Sequence, residues 1–379
     1  MGPLDAWMQP PTATTIESLP SLERCSSVGT RLGNFLASIH CDTTLLLKAQ
    51  TLTDDGRLWF ENPDTKDLIR DETARKVLPT LRPWIDQEAG KIEKIARIIS
   101  QDFDCGFLEI LHSSSSPSPG IPRSMFSVGD LWTRSIIIDS SPTTPSSNPS
   151  FDPATEAELG LIDWEFTSLG RIGQDIAQLS AWLFLFSTSS VWSSTEPRFR
   201  SATVGAFAIL PTSSASIGRF GTNSGVGFGH GIDAEGGAGP VKGEPPGWWS
   251  TAGTIMDGLL VAYAHKVKEY PDYVWFVDED YDQHRLKKER LAVIRSIWIL
   301  FGREVIYNSV EAGARFVGFF AVGGDGGESS DEVQMWQREM IEVGCWYVSV
   351  AGESSDEEFE EAVRRECVLK RMYTISGSL

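Results

Sequence analysis

Helical spacing of apolar residues is the feature of this sequence that most constrains its fold. Five apolar residues at that spacing predict one amphipathic helix ending near His40: Val28, Leu32, Phe35, Leu36 and Ile39. The same kind of spacing predicts further helices around 92–99, 176–183, 256–263, 286–301 and 333–348. A chain with this pattern is expected to form a mainly helical body.

Short runs of apolar, often β-branched residues interrupt the helical pattern and are bounded by polar turns. These runs are 125–128, 135–139 and 159–162. The last two predict a small antiparallel hairpin set into the helical body. The predicted fold class is therefore α+β, mainly helical.

Low-complexity segments divide the chain. Residues 1–26 show little periodicity and are expected to be irregular, whereas residues 27–379 are expected to form one lobe. The segments 140–157 and 187–250 are rich in Ser, Thr, Pro or Gly, and such compositions do not bury enough apolar surface to order themselves. Both are predicted to be insertions into the lobe.

Charge excludes some classes of partner. The formal net charge is -19, so phosphate backbones and anionic membrane surfaces are disfavoured as partners. Part of the acidity lies in the run 353–358, which is interpreted as a solvated face or loop.

The location of the protein is expected to be the cytosol. The first 20 residues hold acidic and proline residues where a secretory signal has a basic patch and an apolar stretch. The longest apolar run, 181–186, is far shorter than the roughly 20 residues of a membrane-spanning helix. The five cysteines are scattered without a C-x-x-C pair, which favours reduced thiols.

Two aspartates stand next to the predicted strands. Asp130 precedes the run 135–139 and Asp163 follows the run 159–162. In an antiparallel hairpin, Ser135 and Asp163 lie at the same open end, where opposed Cβ atoms are about 4.5–5.5 Å apart. Two carboxylates with a hydroxyl between them suit Mg²⁺, and phosphoryl transfer uses a metal together with a proton-accepting carboxylate. The alternative is that both aspartates are plain turn residues.

The segments around these aspartates resemble a known family. They are similar to the catalytic loop and the metal-binding motif of aminoglycoside phosphotransferases, choline kinases and related protein-kinase-like enzymes, and read GDLWTRSIII at 129–138 and LIDWEF at 161–166. The turn GRIGQDIA at 170–177 and the helix LGNFLASIH at 32–40 extend the likeness. It covers roughly residues 28–186, with a looser helical tail after 253.

The resemblance implies a protein-kinase-like carboxy-terminal lobe with a small catalytic hairpin. It implies an ATP-dependent phosphotransferase that acts on a hydroxyl of a small polar molecule, with Asp130 as catalytic base and Asp163 as principal Mg²⁺ ligand. By the same likeness, Asp175 matches a buried acidic residue that braces the catalytic loop. A plain helix N-cap is the alternative for Asp175.

Two positions depart from the family pattern. Val128 stands where the family has a histidine that organises the loop, and Ser135 stands where it has a metal-binding asparagine. Methylthioribose kinases look similar at the second position, since they carry D-L-x-T-x-S and a D-x-E metal motif. On that likeness Ser135 and Glu165 become further metal ligands, and a surface carboxylate is the alternative for Glu165.

The resemblance also implies a nucleotide-clamping lobe before the helix at 28–40. Such a lobe needs about 80–100 residues to form its own core, and only residues 1–27 precede that helix. A truncated gene model, a relative that holds ATP in another way, and a pseudokinase-like binding protein stay open as explanations. A metal-assisted hydrolase is a weaker alternative, because the five histidines fall outside the acidic motifs and no nucleophile elbow is present.

Overall fold

A computed structural model gives the fold for most of the predicted elements. The residues that it describes are 2–8, 20–42, 62, 64, 67–68, 81, 89–104, 125–139, 158–171, 173–194, 248–270, 283–320, 329–366, 368–369 and 372.

Helices dominate this part of the chain. They are α1 (Leu4–Met8), α2 (Leu22–His40), α3 (Ala89–Asp104), α4 (Gln174–Ser194), α5 (Trp248–Val267), α6 (Gln283–Phe320), α7 (Ser329–Glu353) and α8 (Asp356–Arg365). Each of the six helices predicted from apolar spacing is confirmed, and α2 ends at His40 as expected. None of the helices in the described ranges is both long and apolar enough to cross a membrane.

The strands form two small antiparallel sheets. They are β1 (Gly2–Pro3), β2 (Met125–Ser127), β3 (Ile136–Asp139), β4 (Glu158–Leu161) and β5 (Ser168–Gly170). One sheet has the order β1-β3-β4 and the other pairs β2 with β5. The described part of the protein is therefore mainly helical with a small antiparallel component, which confirms the α+β class.

The predicted hairpin is confirmed as the pair β3 and β4. Its register places Ile136 opposite Leu161, and the next bond is donated by the Ile162 N–H to the Ser135 carbonyl at 2.9 Å. Asp163 follows one residue later, so Ser135 and Asp163 leave the same open end of the hairpin. The predicted insertion at 140–157 lies outside the described residues.

The amino-terminal segment is more regular than expected. β1 pairs with β3, and the Leu4 N–H donates to the Thr133 carbonyl at 3.2 Å. Leu4 and Met8 of α1 are buried, and Asp5 binds Nε of Arg134 at 2.8 Å. The expectation of an irregular segment at 1–26 is wrong for these residues and for Leu22 onward, because contacts distant in sequence order them.

The second predicted insertion begins later than expected. α4 continues to Ser194 and α5 begins at Trp248, so only residues 195–247 of the segment 187–250 lie outside the described residues. The hydroxyl of Thr188 donates to the Phe184 carbonyl at 2.9 Å, and Ser189 donates to Phe186. Each of these buried hydroxyls therefore makes a hydrogen bond to a carbonyl of its own helix.

The acidic run 353–358 opens a helix instead of forming only a loop. Ser355 is the N-cap of α8: its hydroxyl accepts the Glu358 N–H at 3.3 Å, and the Glu358 carboxylate accepts the Ser355 N–H at 3.0 Å. The acidic residues of the first turn interact favourably with the positive end of the helix dipole. The run is thus a solvated face, one of the two interpretations given for it, and it also contains a helix start that charge alone does not indicate.

Close packing of α2 on α5 depends on glycine. A Cβ on Gly29 would lie 2.1 Å from the Ile255 carbonyl oxygen, and a Cβ on Gly33 would lie 2.3 Å from that of Leu259. Gly258 lies against α2 from the opposite helix. The two helix backbones therefore approach closely enough to bring their side chains together beneath the sheets.

Replacing Gly33 by Ala is expected to destabilise the protein by at least about 1–3 kcal/mol, because overpacking forces the backbones apart. Chemical denaturation monitored by circular dichroism measures the loss. Gly90→Ala is the matched control: nothing lies within 4 Å of a Cβ at this exposed position in α3. That control is expected to be neutral or to stabilise by up to about 1 kcal/mol. Equal stability of the two variants would contradict the packing argument.

Candidate active site

The turn that carries Asp130 follows β2 and rests on the turn that follows Asp163. Gly129 has φ +91°, and a Cβ at this position would lie 2.2 Å from the Phe166 carbonyl oxygen. Only glycine combines that backbone conformation with so close an approach. The two acidic motifs of the sequence are therefore in direct backbone contact.

Asp163 has a backbone conformation that few residues adopt. Its φ is +65° and its ψ is +51°, in the left-handed region, and it caps the 3₁₀ turn Trp164–Phe166. Aspartate tolerates this region better than most non-glycine residues, and such strain is found preferentially at functional sites. The half-buried Asp163 lies between two exposed apolar residues, Ile162 and Trp164.

Ser135 ties the two aspartate segments to each other. Its hydroxyl donates to the Asp130 carbonyl at 3.2 Å, and its own carbonyl accepts the Ile162 N–H at 2.9 Å. The side chain is fully buried. Ser135 therefore lies beneath the surface that bears Asp130, which is exposed.

Asp175 holds the Asp130 turn from inside the protein. Oδ1 accepts the Ser127 hydroxyl at 2.7 Å and the Gly129 N–H at 3.0 Å, and Oδ2 accepts the Val128 N–H at 2.8 Å. The carboxylate is completely buried. Since α4 begins at Gln174 and these bonds reach back to β2, Asp175 braces the loop and does not cap its own helix.

Two glutamines at the same end of α4 form hydrogen bonds with further backbone groups of the turn. The Gln174 amide donates to the Gly129 carbonyl at 3.3 Å, and Oε1 of Gln178 accepts the Leu131 N–H at 3.4 Å. Together with Asp175 they cover the backbone groups on both sides of Asp130. The turn is therefore fixed through its main chain, and Asp130 within it is exposed.

An ion pair between the half-buried Arg171 and the buried Asp102 anchors the connection between β5 and α4. Arg171 donates to the Asp102 carboxylate of α3, which also accepts the Ser296 hydroxyl at 3.2 Å. Burial raises the pKa of Asp102, and the nearby Arg171 opposes that shift. The start of α4, with its three bracing side chains, is thus held between α3 and the sheet.

His40 is the site residue that the sequence did not reveal. Its Nε2 lies 2.9 Å from Oδ2 of Asp175, and its Nδ1 lies 2.9 Å from the Tyr263 hydroxyl of α5. The five histidines lie outside the acidic motifs in the sequence, yet His40 contacts Asp175, the residue that braces the loop. The available signal was its position at the end of the helix that resembles the family helix beneath the catalytic loop.

The Asp175 carboxylate is ionised at neutral pH. Burial acts to raise the pKa of Asp175, but the hydrogen bonds from His40, Ser127 and the Val128 N–H outweigh it and hold that pKa below its usual value. An ionised carboxylate only accepts hydrogen bonds. Its orientation therefore suits the ring of donors that surrounds it.

The carboxylates and hydroxyl of the two turns can be compared with what a magnesium ion requires. Among the described residues, no group of three or more His, Cys, Asp or Glu side chains could hold a metal. Mg²⁺, however, is usually bound through one or two carboxylates plus substrate phosphates. The half-buried Asp163 and the exposed Glu165 on one 3₁₀ turn fit that requirement, whereas the buried Ser135 hydroxyl is already bonded to the Asp130 carbonyl.

No protein-family model, curated protein or solved structure was found to match this chain. What the structure itself defines is a mainly helical α+β protein with a small antiparallel sheet. It brings Asp130, Ser135, Asp163 and Glu165 onto two turns in contact with each other.

Proposed function

We propose that this chain is an ATP-dependent phosphotransferase that acts on a hydroxyl group of a small polar molecule. The observation that carries the proposal is an exposed aspartate on a turn whose backbone is held rigidly from below, in contact with a second turn whose aspartate is in the left-handed conformation. Phosphoryl transfer is catalysed mainly by positioning and charge neutralisation, and this arrangement provides positioning.

In this proposal Asp130 is the catalytic base. Its exposed carboxylate orients the acceptor hydroxyl and takes its proton, while the main chain of the turn stays fixed by Asp175. Asp163 holds the metal, with Glu165 as a further ligand. Bound Mg²⁺ with its nucleotide would supply neutralisation of the phosphate charge.

The partners implied are Mg-ATP and one small acceptor, in the cytosol. The net charge of -19 gives no general attraction for nucleic acid or anionic membranes. The acceptor belongs to the class of small hydroxyl compounds, because the base needs an alcohol proton to remove.

Mg-ATP is expected to raise the thermal midpoint of the protein, because a ligand that binds only the folded state stabilises it. At a free concentration 100 times Kd the gain is about 2.7 kcal/mol. Differential scanning fluorimetry with Mg-ATP measures the shift. Asp163→Asn, which keeps a residue that tolerates the left-handed backbone, is expected to lose most of it.

Asp331→Asn is the matched control for that measurement, since it removes one exposed carboxylate at the start of α7. It is expected to keep the full shift. Absence of any shift for the unmodified chain at millimolar Mg-ATP would contradict the proposed function.

A pseudokinase-like binding protein on the same fold is the second candidate. The observation that favours it is the Ser135 hydroxyl, which is buried and bonded to the Asp130 carbonyl instead of lying open to a metal. A Mg-ATP-dependent shift without any transfer of phosphate to water or to small alcohols would support this candidate.

A further inference from the structure

A chain of buried polar side chains runs from α5 through α2 to the Asp130 turn. Tyr263, His40 and Asp175 are each completely buried, so their hydrogen bonds come from protein partners. The rings of His40 and Tyr263 meet edge to face, with centroids 5.5 Å apart. Both ring nitrogens of His40 are in use, one toward each neighbour.

The chemistry of the imidazole sets the direction of these bonds. The Asp175 carboxylate only accepts, so Nε2 of His40 must carry the proton that it donates. In a neutral imidazole with that tautomer, Nδ1 is an acceptor, and the Tyr263 hydroxyl donates to it. Tyr263 therefore occupies Nδ1 and holds the His40 ring in the orientation that directs Nε2–H at Asp175.

We propose that Tyr263 and His40 are positioning residues for the Asp130 turn. Tyr263 fixes the orientation of the His40 ring, and His40 fixes the rotation of the Asp175 carboxylate that receives the N–H groups of Val128 and Gly129. The inference rests on the proposed function, because the turn has catalytic meaning only if Asp130 is the base.

The loss of one link has a local consequence. Without the His40 donor, Oδ2 of Asp175 keeps only the Val128 N–H, while Oδ1 keeps the Ser127 hydroxyl and the Gly129 N–H. The carboxylate then has fewer constraints on its rotation. The Val128 and Gly129 amides open more often, and Asp130 loses its fixed direction.

Hydrogen exchange read by mass spectrometry on a peptide spanning 125–135 tests the inference in the full chain. His40→Leu is expected to speed exchange in this peptide about tenfold or more, the effect of losing one hydrogen bond to a buried charge, and Tyr263→Phe is expected to speed it roughly several-fold, because it removes a bond to His40 and not to the carboxylate. His40→Gln retains an amide donor and is expected to restore part of the protection. Exchange in α7 is expected to stay within about twofold.

Tyr347→Phe is the matched control, since Tyr347 is also a buried tyrosine that donates to a carboxylate, Glu366, in another part of the fold. It is expected to leave exchange at 125–135 unchanged. Exchange in that peptide that is unchanged in both Tyr263→Phe and His40→Leu would overturn the inference, as would an equal rise throughout the chain.

Turnover of Mg-ATP gives a second readout. Tyr263→Phe is expected to lower kcat at least tenfold and to leave KM for ATP within about twofold, because positioning of the base acts on the chemical step. Absence of any turnover in the unmodified chain would contradict the proposed function. The exchange experiment would still decide whether Tyr263 and His40 position the turn.

Discussion

Asp130→Asn is expected to lower phosphoryl transfer by about 10²–10⁴-fold, because a positioned general base contributes that much to the rate and an amide cannot accept the proton. Formation of ADP from Mg-ATP, with sets of small alcohols, sugars and amino alcohols as acceptors, measures the effect. KM for ATP is expected to change little, since Asp130 acts on the acceptor hydroxyl.

The fold is expected to tolerate this substitution. Asp130 is exposed, and the bond that it receives from Ser135 is made by its backbone carbonyl, which asparagine keeps. A thermal midpoint close to that of the unmodified chain would confirm it. Asp331→Asn, with one exposed carboxylate removed from α7, should turn over normally. Undiminished turnover in Asp130→Asn would contradict its assignment as the base.

The hairpin that carries this site could be predicted because its signal is local. A β-branched run on one side of a polar segment and an apolar run on the other define β3 and β4, and the residues next to these runs in sequence are also next to them in space. The acidic residues next to these strands were therefore placed at the correct end. The strands β1 and β5, with two and three residues, are too short to show an alternating pattern.

The interior of the site could not be predicted in the same way. His40 is 135 positions from Asp175 and 223 from Tyr263, so neither contact can be predicted from a pattern within one element. The close approach of α2 to α5 places these side chains together, and that approach is set by Gly29 and Gly33. Helical periodicity identifies each helix but does not predict which other helix it packs against.

Composition also misplaces two helix boundaries. The beginning of α8 carries a capping box, with Ser355 three residues before Glu358, whereas the acidic run was interpreted only as a solvated face or loop. The end of α4 was taken for an insertion because of its serines and threonines. In both segments hydrogen bonds from side chain to backbone decide the structure, and composition does not report them.

Asp175→Ala is expected to destabilise the protein by about 3–5 kcal/mol, the range for removing one partner of a buried charged network. It leaves the Ser127 hydroxyl, the Val128 and Gly129 N–H groups and His40 without their shared acceptor. Urea unfolding at pH 7 measures the loss. Asp356→Ala is the control: this half-exposed carboxylate lies 3.1 Å from Arg295, and its loss is expected to be at most about 1 kcal/mol.

The acid dependence of a second variant, Asp175→Asn, tests whether the charge of Asp175 is the cause. Because the folded-state pKa of Asp175 is held below the ordinary value of 3.8, its charge stabilises the fold fully above that pH. The contribution is lost as the pH falls below 3.8 toward the folded-state pKa, since the unfolded chain then binds the proton first. The gap in unfolding free energy between the unmodified chain and Asp175→Asn should therefore be constant from pH 7 to about pH 5 and shrink below 3.8. A gap that does not shrink in acid would mean that shape, and not the charge of Asp175, holds the turn.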